Sequence, residues 1–265
     1  MQIENSGQSD VGRKREKNED SFFMNKELEL YVVADGMGGH VGGELASKLA
    51  VETINEVVSE LLRDPEATLP ESTEIKMGDY KSYLQFAISQ ASFKIFDKAA
   101  KDSKLQGMGT TAIITLFQHN KIYVANVGDS RVYRVRKGRI EQLTTDHSLV
   151  GEQVRAGMIK PQEAKDHRLK NIITRSVGFQ EDVEADAEAK ALKKDDIFLM
   201  CSDGLYNLVE DEEMLDIVTH HTLKEGCQHL IDIANSRGGD DNITVILTRA
   251  VALDEEEEEE STMKL

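Results

Sequence analysis

The sequence predicts an α+β fold in which strands and helices are grouped along the chain instead of strictly alternating. Two long segments with apolar residues at helical spacing follow one another in the first hundred residues. Behind them come four short β-rich runs with turn residues between them and no helix among them. Size and composition agree: 265 residues, 39% hydrophobic and 31% charged, with only 3 Pro and no Trp, suit a folded core.

Two β-like runs, 21–25 and 28–34, come first, and the second stops at the glycine-rich ADGMGGHVGGE. A strand that stops at glycines delivers a site or a turn. Leu45, Leu49, Ile54, Val57, Val58, Leu61 and Leu62 then recur at helical spacing until Pro65 and predict a long amphipathic helix. After a loop around 63–77, Leu84, Ala87, Ile88, Ala91, Ile95 and Ala99 predict a second helix, expected to pair antiparallel with the first.

The runs TTAIITLF, IYVANVG, RVYRVR and RIEQL follow, with turns at 119–121 and at Lys137-Gly138 and a sharp bend between the second and third runs; they predict a β-meander. Residues 144–177 are polar and mixed, interrupt the strand pattern and predict an inserted flap. A strand near 181–189, the apolar run 197–201, helices near 211–220 and 223–236, and a strand at 243–248 complete the body. No internal repeat is evident. The expected organisation is one domain over 1–250, with its flap at about 145–177, and an acidic disordered tail over 251–265.

The charge balance narrows the partners. With 32 Lys+Arg against 49 Asp+Glu the net charge is −17, a field that repels nucleic acid and anionic lipid, so neither is expected as a partner. The run at 254–260 supplies seven of the carboxylates, and the tail reads either as a solubilising end or as a site for a basic partner. Two cysteines, Cys201 and Cys227, are too few for a disulfide framework and fit a reducing compartment. MQIENSGQSD lacks the basic flank and apolar stretch of a signal peptide, and nowhere do about 18 apolar residues run together, so a cytoplasmic location is expected.

The chemistry is suggested by aspartates that close apolar runs beside glycine: Asp35 in VVADGMGG, Asp129 in VANVGDSR, Asp203 in FLMCSDG, and Asp240 and Asp241 in GGDDNITVI. Any single Asp-Gly is ordinarily an Asx turn ending a strand. Several of them behind several apolar runs can converge on one sheet edge, and an all-oxygen set selects hard divalent ions such as Mg²⁺ or Mn²⁺. In VGRKREKNEDSFF, Arg15 precedes Glu19 and Asp20. It reads either as part of a charged surface loop or as a guanidinium whose fork matches a phosphoryl group. Arginine with clustered aspartates implies metal-assisted phosphate chemistry, in which two ions about 4 Å apart activate water and neutralise the phosphoryl group without a protein nucleophile.

Other phosphate chemistries fit poorly. A cysteine phosphatase needs Arg six residues after its Cys, but Asn207 and Ile233 stand there; no Asp-x-Asp pair suits an aspartyl-phosphate enzyme, and no Gly-Lys-Ser/Thr marks a P-loop. Cys201 reads as a buried strand residue.

In order along the chain, RKREKNEDSF, VVADGMGGHVGGELAS, GMGTTAIITL, YVANVGDSRVYRV, LTTDHSLVGEQVRAG, NIITRSVG, FLMCSDGLYNLV and GGDDNITVI resemble the motifs of bacterial metal-dependent Ser/Thr protein phosphatases, the protein phosphatase 2C family, over roughly residues 3–248. The resemblance implies a four-layer α-β-β-α sandwich of two antiparallel sheets flanked by helices. It also implies hydrolysis of phosphoserine and phosphothreonine on proteins by water activated on two Mn²⁺ or Mg²⁺ ions, with a third, weaker ion.

By resemblance, Asp35 bridges both core ions, Gly36 offers its carbonyl to one, Asp203 and Asp241 complete the direct ligands, and Asp20, with Glu19 beside it, holds the hydrating water. Arg15 is the phosphate clamp, Asp129 shares the third ion with Asp203, and Asp240 is a neighbour of the ligand Asp241. Met37 stands where animal members carry a histidine proposed as the general acid, and methionine cannot donate a proton. A water on the metal is the expected donor. His40 reads first as a solvated loop residue and second as a donor, and His147 first as structural, bonding loop backbone.

The expected partners are phosphorylated proteins, including a Hanks-type Ser/Thr kinase, and the expected state is a monomer. The alternatives are a catalytically silent phosphatase-like adaptor, which should have lost metal ligands, and a specialised phosphatase of a partner-switching regulator.

Overall fold

A computed structural model describes residues 1–38, 42–64, 75–160, 163–164 and 167–254. Its strands are β1 (Gln2–Asp10), β2 (Asp20–Asn25), β3 (Leu30–Met37), β4 (Gly109–Thr110), β5 (Ala112–Gln118), β6 (Lys121–Val127), β7 (Arg131–Arg136), β8 (Arg139–Gln142), β9 (Asp186–Ala191), β10 (Ile197–Cys201) and β11 (Ile243–Ala252). The helices are α1 (Gly42–Arg63), α2 (Tyr80–Lys101), α3 (Leu149–Arg155), α4 (Asp203–Tyr206), α5 (Asp211–His220) and α6 (Leu223–Ser236).

Side-chain alternation builds the layers. On β3, Leu30, Val32 and Ala34 pack with residues of α1 and α2, while Tyr31 and Val33 point the other way. On β10, Ile197, Leu199 and Cys201 pack with α5 and α6, while Phe198 and Met200 meet Tyr31, Val33 and Phe117 between the sheets. Strands buried on both faces need two partners, so two sheets stack and each carries helices on its outer face. One sheet has the order β1-β11-β10-β7-β8, and the other the order β2-β3-β5-β6-β9 with β4 on β3; every pairing is antiparallel. The expected α-β-β-α sandwich is thus the observed one.

Three details differ from the sequence-based expectation. The predicted meander is two hairpins in different sheets: β5–β6 turns at His119 and Asn120 and β7–β8 at Lys137 and Gly138, all four with positive φ, as type I′ turns require. Between them the chain crosses from one sheet to the other at Gly128. Its φ of +100° disfavours any side chain, and a Cβ there would stand only 2.6 Å from Thr111 Cγ2, so glycine is required. β9, not β7, then pairs with β6, and it begins at Asp186, later than the expected strand near 181–189.

The third detail is β1, for which the sequence carries no strand signal. It pairs with β11 along its whole length, from Gln2 opposite Ala252 to Asp10 opposite Ile243. Its hydrogen bonds to β11 hold it, and as an edge strand it needs little apolar surface: only Ile3 is buried. The final strand is correspondingly longer than expected, reaching Ala252.

Segment 145–177 lies between the β8 and β9 strands and carries α3, capped by Ser148 Oγ accepting from Gly151 N at 3.0 Å. The bridge Thr110–Val177 fastens its far end to the body, and the bridge Ser148–Ile173 ties its two arms to each other. Among the described residues no helix is long and apolar enough to cross a membrane.

Candidate active site

The aspartates singled out in the sequence come together at one end of the sandwich. Asp20 opens β2 directly opposite Asp35 near the end of β3, Asp129 sits in the crossing bend between β6 and β7, Asp203 opens α4 after β10, and Asp241 precedes β11. Arg15, Asp35, Gly36, Asp129, Asp203 and Asp241 line one cavity of about 520 Å³. Glu19, Met37 and Asn171 line it too, the last from the 145–177 segment. Asp240 is exposed and outside the lining. His40 lies outside the described residues.

Asp35 is held through its backbone, and Asp20 and Asp203 through one carboxylate oxygen each. Asp35 N donates to Thr111 Oγ1 at 2.9 Å, and its carbonyl accepts from Thr110 Oγ1 at 2.8 Å and Thr111 N at 2.9 Å. Gly36 N donates to the Glu19 carbonyl at 3.1 Å, and a Cβ at 36 would lie 2.1 Å from the Gly43 carbonyl oxygen, so no larger residue fits. Asp20, 7% exposed, accepts at Oδ2 from Ser202 Oγ and Thr244 Oγ1, both at 2.7 Å. Its Oδ1 is buried without a partner, and so is Asp203 Oδ1, while Asp203 Oδ2 accepts from Asn207 Nδ2 at 3.2 Å.

Asp241 Oδ1 accepts from Asn242 N at 2.8 Å and its Oδ2 from Arg15 Nη2 at 2.7 Å. Asn242 also lines the cavity, and sequence reasoning assigns it no role beyond its place beside Asp241. Its Nδ2 donates to the carbonyls of Val11 and Lys17, both at 2.9 Å, and its Oδ1 accepts from Glu19 N at 2.7 Å, so one buried amide shapes the loop that carries Arg15. The only signal in the sequence is an amide beside Asp241 at the head of an apolar run.

His147 is buried, with Nδ1 accepting from Gly128 N at 3.2 Å and Nε2 facing Asp186 Oδ2 at 3.3 Å. Burial pushes its pKa down, favouring the neutral ring that this acceptor nitrogen requires. The expectation that it bonds loop backbone is met.

The electrostatics are those of a cation site. Burial raises Asp20 to about 7, with the Ser202 and Thr244 hydroxyls working against the shift and Asp203 and Asp241 adding to it. Burial and then Asp203 raise Asp129 to about 7; burial and then Asp241 raise Asp203 to about 6. Asp35 is pushed well up by burial and then by Asp20, Asp203, Asp129 and Asp241. Carboxylates that repel one another and leave buried oxygens unpaired fit a bound divalent cation, which supplies both the charge and the missing partners. Among the described residues no three His, Cys, Asp or Glu side chains close into an ion cage. An ion held here would take its remaining coordination from water, as Mg²⁺ commonly does.

The family model for protein phosphatase 2C matches residues 6–243. The chain belongs to the protein phosphatase 2C family. Among its relatives is serine/threonine phosphatase stp of Listeria innocua, 39% identical over 243 residues, covering 90% of this chain and 92% of that protein. The Mycobacterium tuberculosis serine/threonine phosphatase PstP/Ppp superposes with a TM-score of 0.83 at 32% identity, over 94% of this chain and 99% of that one. A structure of the PstP catalytic domain holding two manganese ions gives a TM-score of 0.80 at 32% identity, again over 94% and 99%. The protein phosphatase 2C fold and the metal dependence expected from the motifs are therefore those of the family to which the chain belongs.

Proposed function

We propose that the chain hydrolyses phosphoserine and phosphothreonine on proteins, using water activated by divalent metal. It is a metal-dependent serine/threonine protein phosphatase, a phosphoric monoester hydrolase that uses Mn²⁺ or Mg²⁺. The observation that carries this reading is the buried carboxylate cluster, in which an oxygen of Asp20 and one of Asp203 have no partner. Among the described residues that line the cavity, Arg15 at the rim is the one cationic side chain. A silent adaptor would have no use for such a cluster, whose burial is costly without an ion.

Asp35, the Gly36 carbonyl, Asp203 and Asp241 are assigned to the two core ions, and Asp129 with Asp203 to a third, weaker one. When bound, the core ions supply Lewis acidity for the attacking water and charge neutralisation for the phosphoryl oxygens. Asp20 has Oδ2 saturated by two hydroxyls and offers Oδ1 to a hydrating water, orienting it. Arg15 gives one donor to Asp241 and has four more in its fork for phosphoryl oxygens. Met37 lines the cavity without a proton to give, so the leaving oxygen takes its proton from water.

The domain is assigned to 1–250, with 145–177 as the flap against which a phosphoprotein lies. The substrates proposed are phosphoproteins of a Hanks-type kinase, the kinase among them, and the protein is proposed to work as a cytoplasmic monomer. The test is phosphopeptide hydrolysis with Mn²⁺, with Mg²⁺, with chelator, and by Asp35→Asn. No metal-dependent turnover would overturn the function, and full activity of Asp35→Asn would overturn the site.

A further inference from the structure

The Arg131 guanidinium is the point at which three parts of the molecule meet. Nε and Nη2 pair with the two oxygens of Asp146 at 3.0 and 2.7 Å in a parallel fork, and Nη1 donates to Tyr133 Oη at 2.9 Å. The flat face lies over the Tyr206 ring, 3.6 Å from its centroid. Arg131 begins β7 two residues after Asp129. Asp146 stands at the start of the 145–177 segment. Tyr206 ends α4, the single-turn helix that Asp203 opens.

The neighbours of Asp146 extend the same connection. His147 and Gly128 bond reciprocally, His147 N to the Gly128 carbonyl at 2.9 Å and Gly128 N to His147 Nδ1 at 3.2 Å. Ser148 caps α3 and bridges to Ile173, which lines the cavity. The bend holding Asp129 is therefore gripped on both sides, at 128 and at 131, by the residues from which the flap segment starts. Asp203 is tied to the same guanidinium through the turn of helix it shares with Tyr206. A surface ion pair would contribute little, but this fork is about four-fifths shielded, with Arg131 21% and Asp146 13% exposed, and bidentate geometry fixes orientation as well as distance.

We propose that Arg131 is a positioning residue that fixes Asp129 relative to Asp203 and couples the cation held between these two carboxylates to the flap. The inference rests on the metal-dependent reading of the cavity. Arg131 itself touches neither substrate nor ion in this role. Lysine at this position keeps the charge but has neither fork nor flat face, so Arg131→Lys isolates geometry from charge.

The experiment is Mn²⁺ binding by calorimetry and electron paramagnetic resonance, with amide exchange over 149–155 followed as Mn²⁺ is added. Removing a residue that orients ligands typically weakens an ion about ten- to a hundredfold, and that loss is expected in Arg131→Lys for the weakest Mn²⁺ class, with the tighter classes changed by less than about threefold. Mn²⁺ filling the weak class slows exchange over 149–155 in the wild type and not in Arg131→Lys. Tyr133→Phe, which removes only the third bond, binds Mn²⁺ as the wild type does.

If Arg131→Lys fails to fold, Tyr206→Leu removes the stacking face alone and is expected to weaken the same class. Wild-type binding in the folded variant, or equal loss of tight and weak ions, overturns the proposal. A wild-type chain that binds two ions and no weaker class overturns this inference alone. One that binds no Mn²⁺ overturns the proposed function as well.

Discussion

Arg15 and Asp241, 226 residues apart in the chain, are joined by an ion pair of 2.7 Å at the rim of the carboxylate cavity. Their side chains are 50% and 35% exposed, so the pair contributes at most about 1 kcal/mol to stability. In the proposed site its role is positional: one guanidinium donor is held while the rest remain for an incoming oxyanion. Arg15→Lys should leave Tm nearly unchanged while kcat/KM on a phosphopeptide falls by about tenfold or more, since an ammonium cannot reproduce the fork. Steady-state kinetics beside thermal unfolding check this; a large drop in Tm with unchanged kcat/KM would contradict it.

The carboxylate cluster sets a pH dependence of opposite sign to that of ordinary acidic residues. Asp20 and Asp129 are raised to about 7 and Asp203 to about 6, above their unfolded values near 3.8. Between those limits the folded chain binds more protons than the unfolded chain, so stability is fully present below about pH 4 from these groups and is lost as pH rises through 6 to 7. In chelator, Tm should fall between pH 5 and pH 8 by at least the roughly 2–4 °C that 1 kcal/mol represents in a chain of this size. Mn²⁺ at pH 8 should restore it. A metal-free Tm that is flat or rising over that interval would contradict the cluster's electrostatics.

Asn242→Ala removes an amide that ties Val11, Lys17 and Glu19 to the segment carrying Asp241. Leaving these backbone groups without partners should cost about 2–4 kcal/mol. KM should rise along with it, because Arg15 rides on the loosened loop. Urea unfolding and substrate titration measure the two effects, and a variant of wild-type stability would show that the loop is held by other means.

Neither cysteine should take part in chemistry. Cys201 is fully buried and its thiol is pushed far up by that burial, and burial raises Cys227 to about 11. A thiol reagent at pH 8 should label neither in the folded protein and both in urea. Alkylation that abolishes turnover under native conditions would overturn the metal-only reading of the cavity.

The acidic run after Asp254 starts far from the cavity. β11 begins at Ile243, beside the Asp241 segment, and ends at Ala252; at about 3.3 Å per residue its far end stands about 30 Å away. Asp254 is fixed there by Asn120, which it bonds at 2.8 and 2.9 Å. Eleven further residues reach about 36–40 Å only when fully extended. Deleting 255–265 should therefore leave kcat/KM within about twofold on basic and acidic phosphopeptides alike. A selective change on one of them would assign the tail to substrate capture.

Features that depend on neighbouring residues are legible in the chain before it folds. The apolar periods of α1, α2, α5 and α6 can be read because a helix face repeats every few residues. The turns at 119–121 and at Lys137-Gly138 can be read because turn residues sit next to one another between β-rich runs, and so can each aspartate that closes a strand beside glycine. What rests on distant partners is settled by folding alone. β1 shows no apolar alternation, since its hydrogen bonds come from β11 at the other end of the chain. The meander divides because the bend at Gly128 sends the chain to a second sheet.

At the site, Asp20 has one oxygen saturated because Ser202 and Thr244, 182 and 224 residues away, reach it; its other oxygen is left unpaired for the same reason. Local sequence records which groups are present. Which of their oxygens are satisfied, and which are left for a cation, is set by packing between segments that meet only in the folded molecule.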